Sequence, residues 1–337
     1  MTEFNVNIIN NEYKVTIGRG LLCSCDKYFN LKRRVFILTD SGTPKEYAEK
    51  VASCSQNAKI YTVPMGEGSK SLEVLNLVLE EMLAFGLTRT DCAVAVGGGV
   101  VGDLLGFASS IYMRGIDFYN VPTTTLSQID SSIGGKTAIN FGGAKNIVGA
   151  FHQPRGVLID LDTLKTLSER HFSAGLCEAL KTALTSDKEL FEYIEENGIN
   201  DDTLEYIITA SLKIKKNVVE LDEKESGLRK ILNLGHTLGH GIEGASGMGE
   251  LYHGECVALG MLPVVSDEVK ERLIVALKSL NLPTEYNGKI DDALSLICHD
   301  KKCDGDKISI VLVDKIGSYE IKKMTLNEFC ELVKERM

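Results

Sequence analysis

His236 and His240 stand four residues apart in Asn233-Leu234-Gly235-His236-Thr237-Leu238-Gly239-His240. Positions i and i+4 of a helix share a face, so both imidazoles can address one centre. Gly235, Gly239 and Gly241 leave room for close packing around that centre. His253-Gly254-Glu255 follows downstream, and Glu178 sits as a carboxylate within the apolar stretch Gly175-Leu176-Cys177-Glu178-Ala179-Leu180-Lys181. Two histidines and a glutamate with one position open make a catalytic zinc site, and such a metal suits an alcohol oxygen bound directly to it. Spacing leaves open whether His236 or His240 is the ligand, and whether the histidines are merely surface residues of a helix.

A second constellation is Val94-Ala95-Val96-Gly97-Gly98-Gly99-Val100-Val101-Gly102-Asp103. Glycines between a strand and a helix let backbone N–H groups approach a pyrophosphate at the helix N-terminus. Gly97, Gly99 and Gly102 satisfy G-x-G-x-x-G, a weak pattern alone that gains weight from this context. Asp40, at the end of an earlier strand, can accept from a ribose hydroxyl or cap a surface turn. Arg114, Lys136, Lys145, Lys181, Lys215, Arg229 and the pair Lys301-Lys302 are spread among small and polar residues, several in glycine-rich loops. Converging cations bind phosphate or carboxylate.

The elements that must position these groups differ between the two halves. Arg34–Thr39, Lys59–Val63 and Cys92–Val96 read as strands, and Ser71–Phe85 as a helix stopped by Gly86. Strands alternating with helices imply parallel β–α–β units. Beyond residue 165 helical periodicity dominates: Leu176–Leu184, Leu204–Val219, Leu238–Glu243 and Cys256–Lys270, with Ile308–Val313 as the one late strand. The expectation is an α/β N-terminal Rossmann-like domain over residues 1–165 and a mostly α-helical C-terminal domain over 166–337. The first would bind dinucleotide, the second metal and substrate, with the active site in the cleft between them.

The 337 residues carry 47 acidic and 37 basic side chains, a net charge of −10 that argues against nucleic acid as a partner. A hydrophobic share of 44% is that of a globular protein, and no run of apolar residues is long enough to cross a membrane. The start, Met1-Thr2-Glu3-Phe4-Asn5, lacks the basic and apolar regions of a signal peptide, so a cytoplasmic location is expected. Nine cysteines without paired spacing fit reduced thiols.

Read in order, Gly97–Asp103, Tyr112-Met113-Arg114-Gly115, Pro122-Thr123-Thr124-Thr125-Leu126, Asp130-Ser131-Ser132-Ile133-Gly134-Gly135-Lys136-Thr137, Asn233–His240 and His253-Gly254-Glu255-Cys256-Val257-Ala258 resemble the 3-dehydroquinate synthase family of sugar-phosphate cyclases. The resemblance runs from about residue 10 to the C-terminus. It implies Glu178, His236 and His253 as ligands of Zn2+, with Co2+ as an alternative. It implies NAD+ held by Asp40, Glu67, Lys70, Gly98, Gly99, Val100, Asp103, Thr123, Thr124, Lys145, Thr163 and Thr166. Substrate would meet Arg114, Asp130, Lys136, Asn146, Lys181, Lys215, Arg229, Asn233, His240 and one of Lys301 or Lys302. His240, Glu225, Lys136 and Lys181 would serve catalysis.

The implied reaction takes 3-deoxy-D-arabino-heptulosonate 7-phosphate to 3-dehydroquinate and phosphate, in the shikimate pathway. Transient oxidation by NAD+ is followed by phosphate elimination, return of the hydride, ring opening and aldol closure. A homodimer is expected because relatives commonly form one. Cyclases acting on substrates without a carboxylate tend to alter the residues matching Lys215, Asn233 and His240, and all three are intact. A metal-dependent polyol dehydrogenase, which would release NADH, and a non-catalytic nucleotide-binding protein are the other readings. One departure is Ala179-Leu180-Lys181-Thr182-Ala183-Leu184, where many relatives carry Tyr-Gly after the lysine. Cys177 beside a proposed ligand is a second, and raises the expectation of an oxidation-sensitive site.

Overall fold

The computed structural model describes residues 1–9, 11–247, 250–300 and 307–337. The chain divides into two compact units, Met1–Leu167 and Ser168–Met337. In the first unit the strands are β1 (Thr2–Val6), β2 (Tyr13–Gly18), β3 (Arg34–Asp40), β4 (Asn57–Val63), β5 (Cys92–Gly97), β6 (Asp117–Pro122), β7 (Lys136–Phe141), β8 (Ala144–Phe151) and β9 (Gly156–Asp160). The helices are α1 (Lys45–Ser53), α2 (Leu72–Ala84) and α3 (Gly99–Ile111). Seven strands form one sheet in the order β1-β2-β9-β6-β5-β3-β4. All neighbours are parallel except β1 and β2.

The central strands are apolar on both faces, as expected where helices cover both sides. In β3, Phe36 and Leu38 enter one core with Ala93 and Ala95 of β5, against α2 and α3. Val35 and Ile37 enter the other with Val94 and Val96, against α1. Each such buried large side chain contributes about 1.5–3 kcal/mol. The crossover from β3 runs through α1 on one face and that from β5 through α3 on the other. The carboxyl ends of β3 and β5 therefore border a topological switch point, where open α/β sheets bind ligands.

Lys136, Lys145 and Asn146 do not lie in glycine-rich loops as the sequence suggests. They belong to the antiparallel hairpin β7–β8, whose register places Lys136 opposite Phe151. Gly142 and Gly143 close its turn at φ +60° and +83°, a conformation that suits glycine. Such a short hairpin has no apolar run long enough to signal itself.

The second unit contains α4 (Glu169–Ser186), α5 (Lys188–Asn197), α6 (Leu204–Leu221), α7 (His236–Ala245), α8 (His253–Met261), α9 (Asp267–Ser279), α10 (Ile290–Asp300), β10 (Lys307–Leu312), β11 (Glu320–Thr325) and α11 (Leu326–Arg336). Ser168 caps α4, accepting from His171 N at 3.3 Å. From Ser173 to Thr185 every residue of α4 is buried, as in a helix surrounded by others. The helix expected over Cys256–Lys270 is broken. Pro263 lies in a tight turn over Leu262–Val264, Val265 is extended, and Ser266 starts α9 afresh by accepting from Val269 N. The late strand is paired rather than solitary, since β10 runs antiparallel to β11. Among the described residues no helix is long and apolar enough to cross a membrane.

Candidate metal centre and nucleotide site

Glu178 and Lys181 project from the middle of buried α4, at 1% and 2% side-chain exposure, and form an ion pair. His236 is the first residue of α7 and His253 the first of α8. The helices carrying them touch through glycine. A Cβ on Gly254 of α8 would sit 1.8 Å from the Ala174 carbonyl oxygen of α4, and one on Gly260 would sit 2.0 Å from that of Gly235. Only glycine permits this approach, which brings three helices to one point.

At that point His236 Nε2 lies 3.8 Å and His253 Nε2 3.9 Å from Glu178 Oε1. Each opposite ring nitrogen is anchored: His236 Nδ1 is 3.1 Å from Leu234 O, and His253 Nδ1 is 3.4 Å from Glu243 Oε2. A neutral imidazole that donates from Nδ1 presents a lone pair at Nε2. Burial foremost, then Lys181 and the neighbouring histidines, hold His236 well below the usual imidazole range. Burial also acts to lower His253, but the bond to Glu243 and the charge of Glu178 outweigh it and raise its pKa. Neither oxygen of Glu178 accepts a hydrogen bond of proper geometry, although Oε2 lies against the Lys181 ammonium.

With both rings neutral and donating from Nδ1, two lone pairs would face a buried carboxylate oxygen, a repulsion that a cation among them relieves. Donors about 2.0–2.2 Å from a tetrahedral metal are about 3.4 Å apart, close to the spacing found. Glu178, His236 and His253 thus fit a zinc-like ion, their donor atoms all lying within 4.8 Å of one another. His240, Glu243 and His253 form an overlapping set of the same extent. The exposed His240 ring lies edge-on to His236, with centroids 5.5 Å apart, and 5.7 Å from His253.

Cys177 is fully buried, and burial foremost, with the Glu178 charge, raises its thiol well above the ordinary value. Burial and a raised pKa make this thiol a poor oxidation target, which weighs against the expected oxidation-sensitive site. Lys215 and Arg229 are buried as well. Arg229 donates from its guanidinium to Glu223 O, and its N–H donates to Asp222 at 2.9 Å. Asn233 donates to Glu225 at 2.6 Å, and Glu225 itself has φ +58°. Lys301 and Lys302 lie outside the described residues.

In the first unit, Gly98 caps α3 and Gly99 opens it directly after β5. The glycines also serve packing: a Cβ on Gly97 would meet Val101 at 2.6 Å, and one on Gly98 would meet Thr124 at 3.1 Å. Thr123 N donates to Gly97 O at 2.9 Å, fixing the turn after β6 beside the turn after β5. Asp40, at the end of β3, accepts from Gly42 N and Thr43 N at 2.9 and 2.8 Å through Oδ1. It is therefore the cap of its turn, with Oδ2 remaining for a ligand.

Lys70 is 4% exposed and donates to Asp103 at 2.6 Å and to Asn146, with Glu67 at 3.8 Å. Asn140, which the sequence did not single out, binds this cluster together. It donates to Glu67 at 2.8 Å and to Lys70 O through its own N–H, and it accepts from Asn146 N at 2.9 Å. Asn146, expected among the substrate contacts, is thus hydrogen-bonded to Lys70, which is expected among the dinucleotide contacts. Val100 lies in the first turn of α3. Lys145, beside Asn146 in β8, is exposed. Thr163 accepts from Gln128 at 3.0 Å, and Thr166 shares a bond with the Tyr47 hydroxyl at 3.0 Å. Asp130 lies in a π-helical turn over Ser127–Ser131, a rare geometry that recurs at functional sites. Arg114 is exposed and follows Met113 in left-handed backbone, with φ of 68° and 49°. Two consecutive non-glycine residues held there are strained. Lys136 is exposed at the start of β7.

Residues 60–174 match the family described as 3-dehydroquinate synthase N-terminal, and residues 175–303 the family described as 3-dehydroquinate synthase C-terminal. A 3-dehydroquinate synthase of Streptococcus sanguinis is 41% identical over 99% of this chain and 100% of its own. Among solved structures, 2-deoxy-scyllo-inosose synthase complexed with carbaglucose-6-phosphate, NAD+ and Co2+ is similar with a TM-score of 0.90. It shares 26% identity and covers 100% of both chains. The 2-epi-5-epi-valiolone synthase of Streptomyces hygroscopicus, with NAD+ and Zn2+ bound, has a TM-score of 0.86 at 27% identity, covering 96% of this chain and 97% of its own.

Proposed function

The chain belongs to the 3-dehydroquinate synthase family, and from that membership we propose that it converts 3-deoxy-D-arabino-heptulosonate 7-phosphate to 3-dehydroquinate and phosphate with NAD+ and a divalent metal, zinc or cobalt. The observation that carries the metal dependence is the pair of imidazole Nε2 atoms converging on a buried carboxylate oxygen. When bound, NAD+ takes up and returns a hydride and the metal polarises the oxygen being oxidised.

This chain's residues do the rest. Glu178, His236 and His253 hold the metal. The α3 N-terminus with Gly98, Gly99 and Val100 receives the pyrophosphate, Asp40 a ribose hydroxyl, and the Lys70–Asp103–Glu67 cluster shapes the surrounding wall. Lys181, Lys215 and Arg229, all buried, are cations kept from water, so they act strongly on phosphate and carboxylate. The departing phosphate carries negative charge that they stabilise. His240 passes protons beside the metal ligands, and the Glu225–Asn233 bond sets the amide that meets substrate. The family also brings the expectation of a cytoplasmic homodimer in the shikimate pathway.

The test supplies the purified protein with zinc, NAD+ and 3-deoxy-D-arabino-heptulosonate 7-phosphate and follows phosphate, dehydroquinate and NADH together. Equal yields of phosphate and dehydroquinate with no net NADH, lost on chelation, are expected. Steady accumulation of NADH, or no phosphate, would overturn the proposal.

A further inference from the structure

We infer that Glu243 is a positioning residue, holding the His253 ring so that its Nε2 faces the metal site; this rests on the metal-site reading above. The two proposed imidazole ligands are anchored differently. His236 leans on main chain, because Gly235 at φ +75° turns the Leu234 carbonyl onto Nδ1. At His253 the preceding carbonyl, that of Tyr252, is committed to Cys256 N at 3.1 Å as the first bond of α8, and among the described residues the ring Nδ1 bonds Glu243 rather than main chain. The neighbouring carboxylate, Glu255, is also committed: it takes the Arg170 guanidinium through both oxygens at 2.7 Å and caps Tyr252 N at 2.7 Å. Glu243, two turns along α7 from His236, fills the vacant role at 3.4 Å.

His253 therefore lies between two carboxylates, Glu243 at Nδ1 and Glu178 at Nε2. Such carboxylate–imidazole–metal arrangements fix the tautomer and ring angle, and losing the outer partner typically weakens metal binding 10–100-fold. The alternative is Glu243 as a ligand in its own right with His240 and His253. Exposure favours positioning. Glu243 keeps 21% of its side-chain surface in water, whereas Glu178 keeps 1%. The buried Glu178 has Lys181 at Oε2 only, which leaves Oε1, the oxygen facing both imidazoles, as the better seat for a metal ion.

The experiment measures Zn2+ affinity and stoichiometry of the full chain by competition with a chromogenic chelator, for wild type and for Glu243→Gln, Glu243→Ala and His236→Ala. Ring 15N shifts of His253 are recorded in the zinc-loaded forms. Expected are one zinc per chain, affinity weakened roughly 10–100-fold in Glu243→Gln and at least as much in Glu243→Ala, and a changed His253 Nδ1 shift. Unchanged affinity and shift in both Glu243 variants would overturn the inference. So would two zincs in wild type falling to one with the tighter affinity intact, because Glu243 would then be a ligand. Thermal melts of the apo variants matching wild type exclude misfolding as the cause of a loss, and in a variant that melts early an unaltered His253 shift overturns the inference. The site itself is tested separately: no zinc bound by wild type, or full binding by His236→Ala, sinks the metal-site reading, while loss in His236→Ala with no effect at Glu243 sinks this inference alone.

Discussion

His236 and His240 share a motif but differ in what their rings touch. His236 has one nitrogen on a main-chain carbonyl and the other toward Glu178, while His240 is exposed at the edge of the cluster. Replacing His236 with alanine is expected to weaken zinc binding by more than about 100-fold, beyond what loss of an outer partner causes. Replacing His240 with alanine should leave zinc within about three-fold of wild type but reduce turnover by about 100-fold or more, as loss of a proton-handling group does. Chelator competition and phosphate release separate the two, and zinc loss in His240→Ala would reverse the ligand assignment. Away from the site, Asp117 shows how a paired carboxylate governs acid stability. Burial acts to raise its pKa, but bonds from Arg155 and Arg33, both 2.8 Å, outweigh burial and lower it. A lowered carboxylate stabilises the fold above its unfolded value near 3.9 and ceases to as pH falls through the folded one. Asp117→Asn should cost about 1–2 kcal/mol at pH 7. In urea unfolding, that gap should stay constant from pH 7 to 5 and shrink below about pH 4; a gap that widens in acid would refute the account.

At the scale of elements, legibility followed the length of the apolar pattern. β3 and β5 are continuous apolar runs, and α2 has helical period, a capping Ser71 and a closing Gly86, so their signals are local. The β7–β8 hairpin is set by its glycine turn and by packing under α3, which composition does not reveal. The break between α8 and α9 is written in Pro263 and Ser266 but is overridden by the apolar period on either side. Glu243 looks like any charge on a helix surface, because its partner lies on another helix. The spacing of the histidines was visible; the meeting of α4, α7 and α8 that aims them was not, since it depends on glycines whose role appears only at contact. Gly254→Ala tests that contact. Its Cβ would collide with the Ala174 carbonyl, main chain that cannot rotate aside, so α4 and α8 must part. A loss of about 1–3 kcal/mol or more is expected, together with weaker zinc binding because His253 is the adjacent residue. Wild-type melting and affinity in this variant would show that the helices yield without disturbing the site.

For the whole molecule the question is how a chain of net charge −10 takes up an anionic substrate. At long range its field repels the ligand, and salt weakens that repulsion because the screening length is about 10 Å at 0.1 M. At short range the proposed recognition rests on Lys181, Lys215 and Arg229, all buried, and buried pairs are screened much less. The two effects have opposite sign, and the short-range one is largely insensitive to salt. Raising KCl from about 20 to about 300 mM should therefore change kcat/KM by less than about three-fold, with the long-range term, if anything, raising the association rate. Arg229→Gln should lower kcat/KM by about 100-fold at every salt concentration, the scale of one lost contact to a charged group in a site shielded from water. A steep fall of wild-type activity with salt would mean that exposed cations such as Arg114 and Lys136 carry the recognition. The buried trio would then be structural, balancing the acidic groups around them.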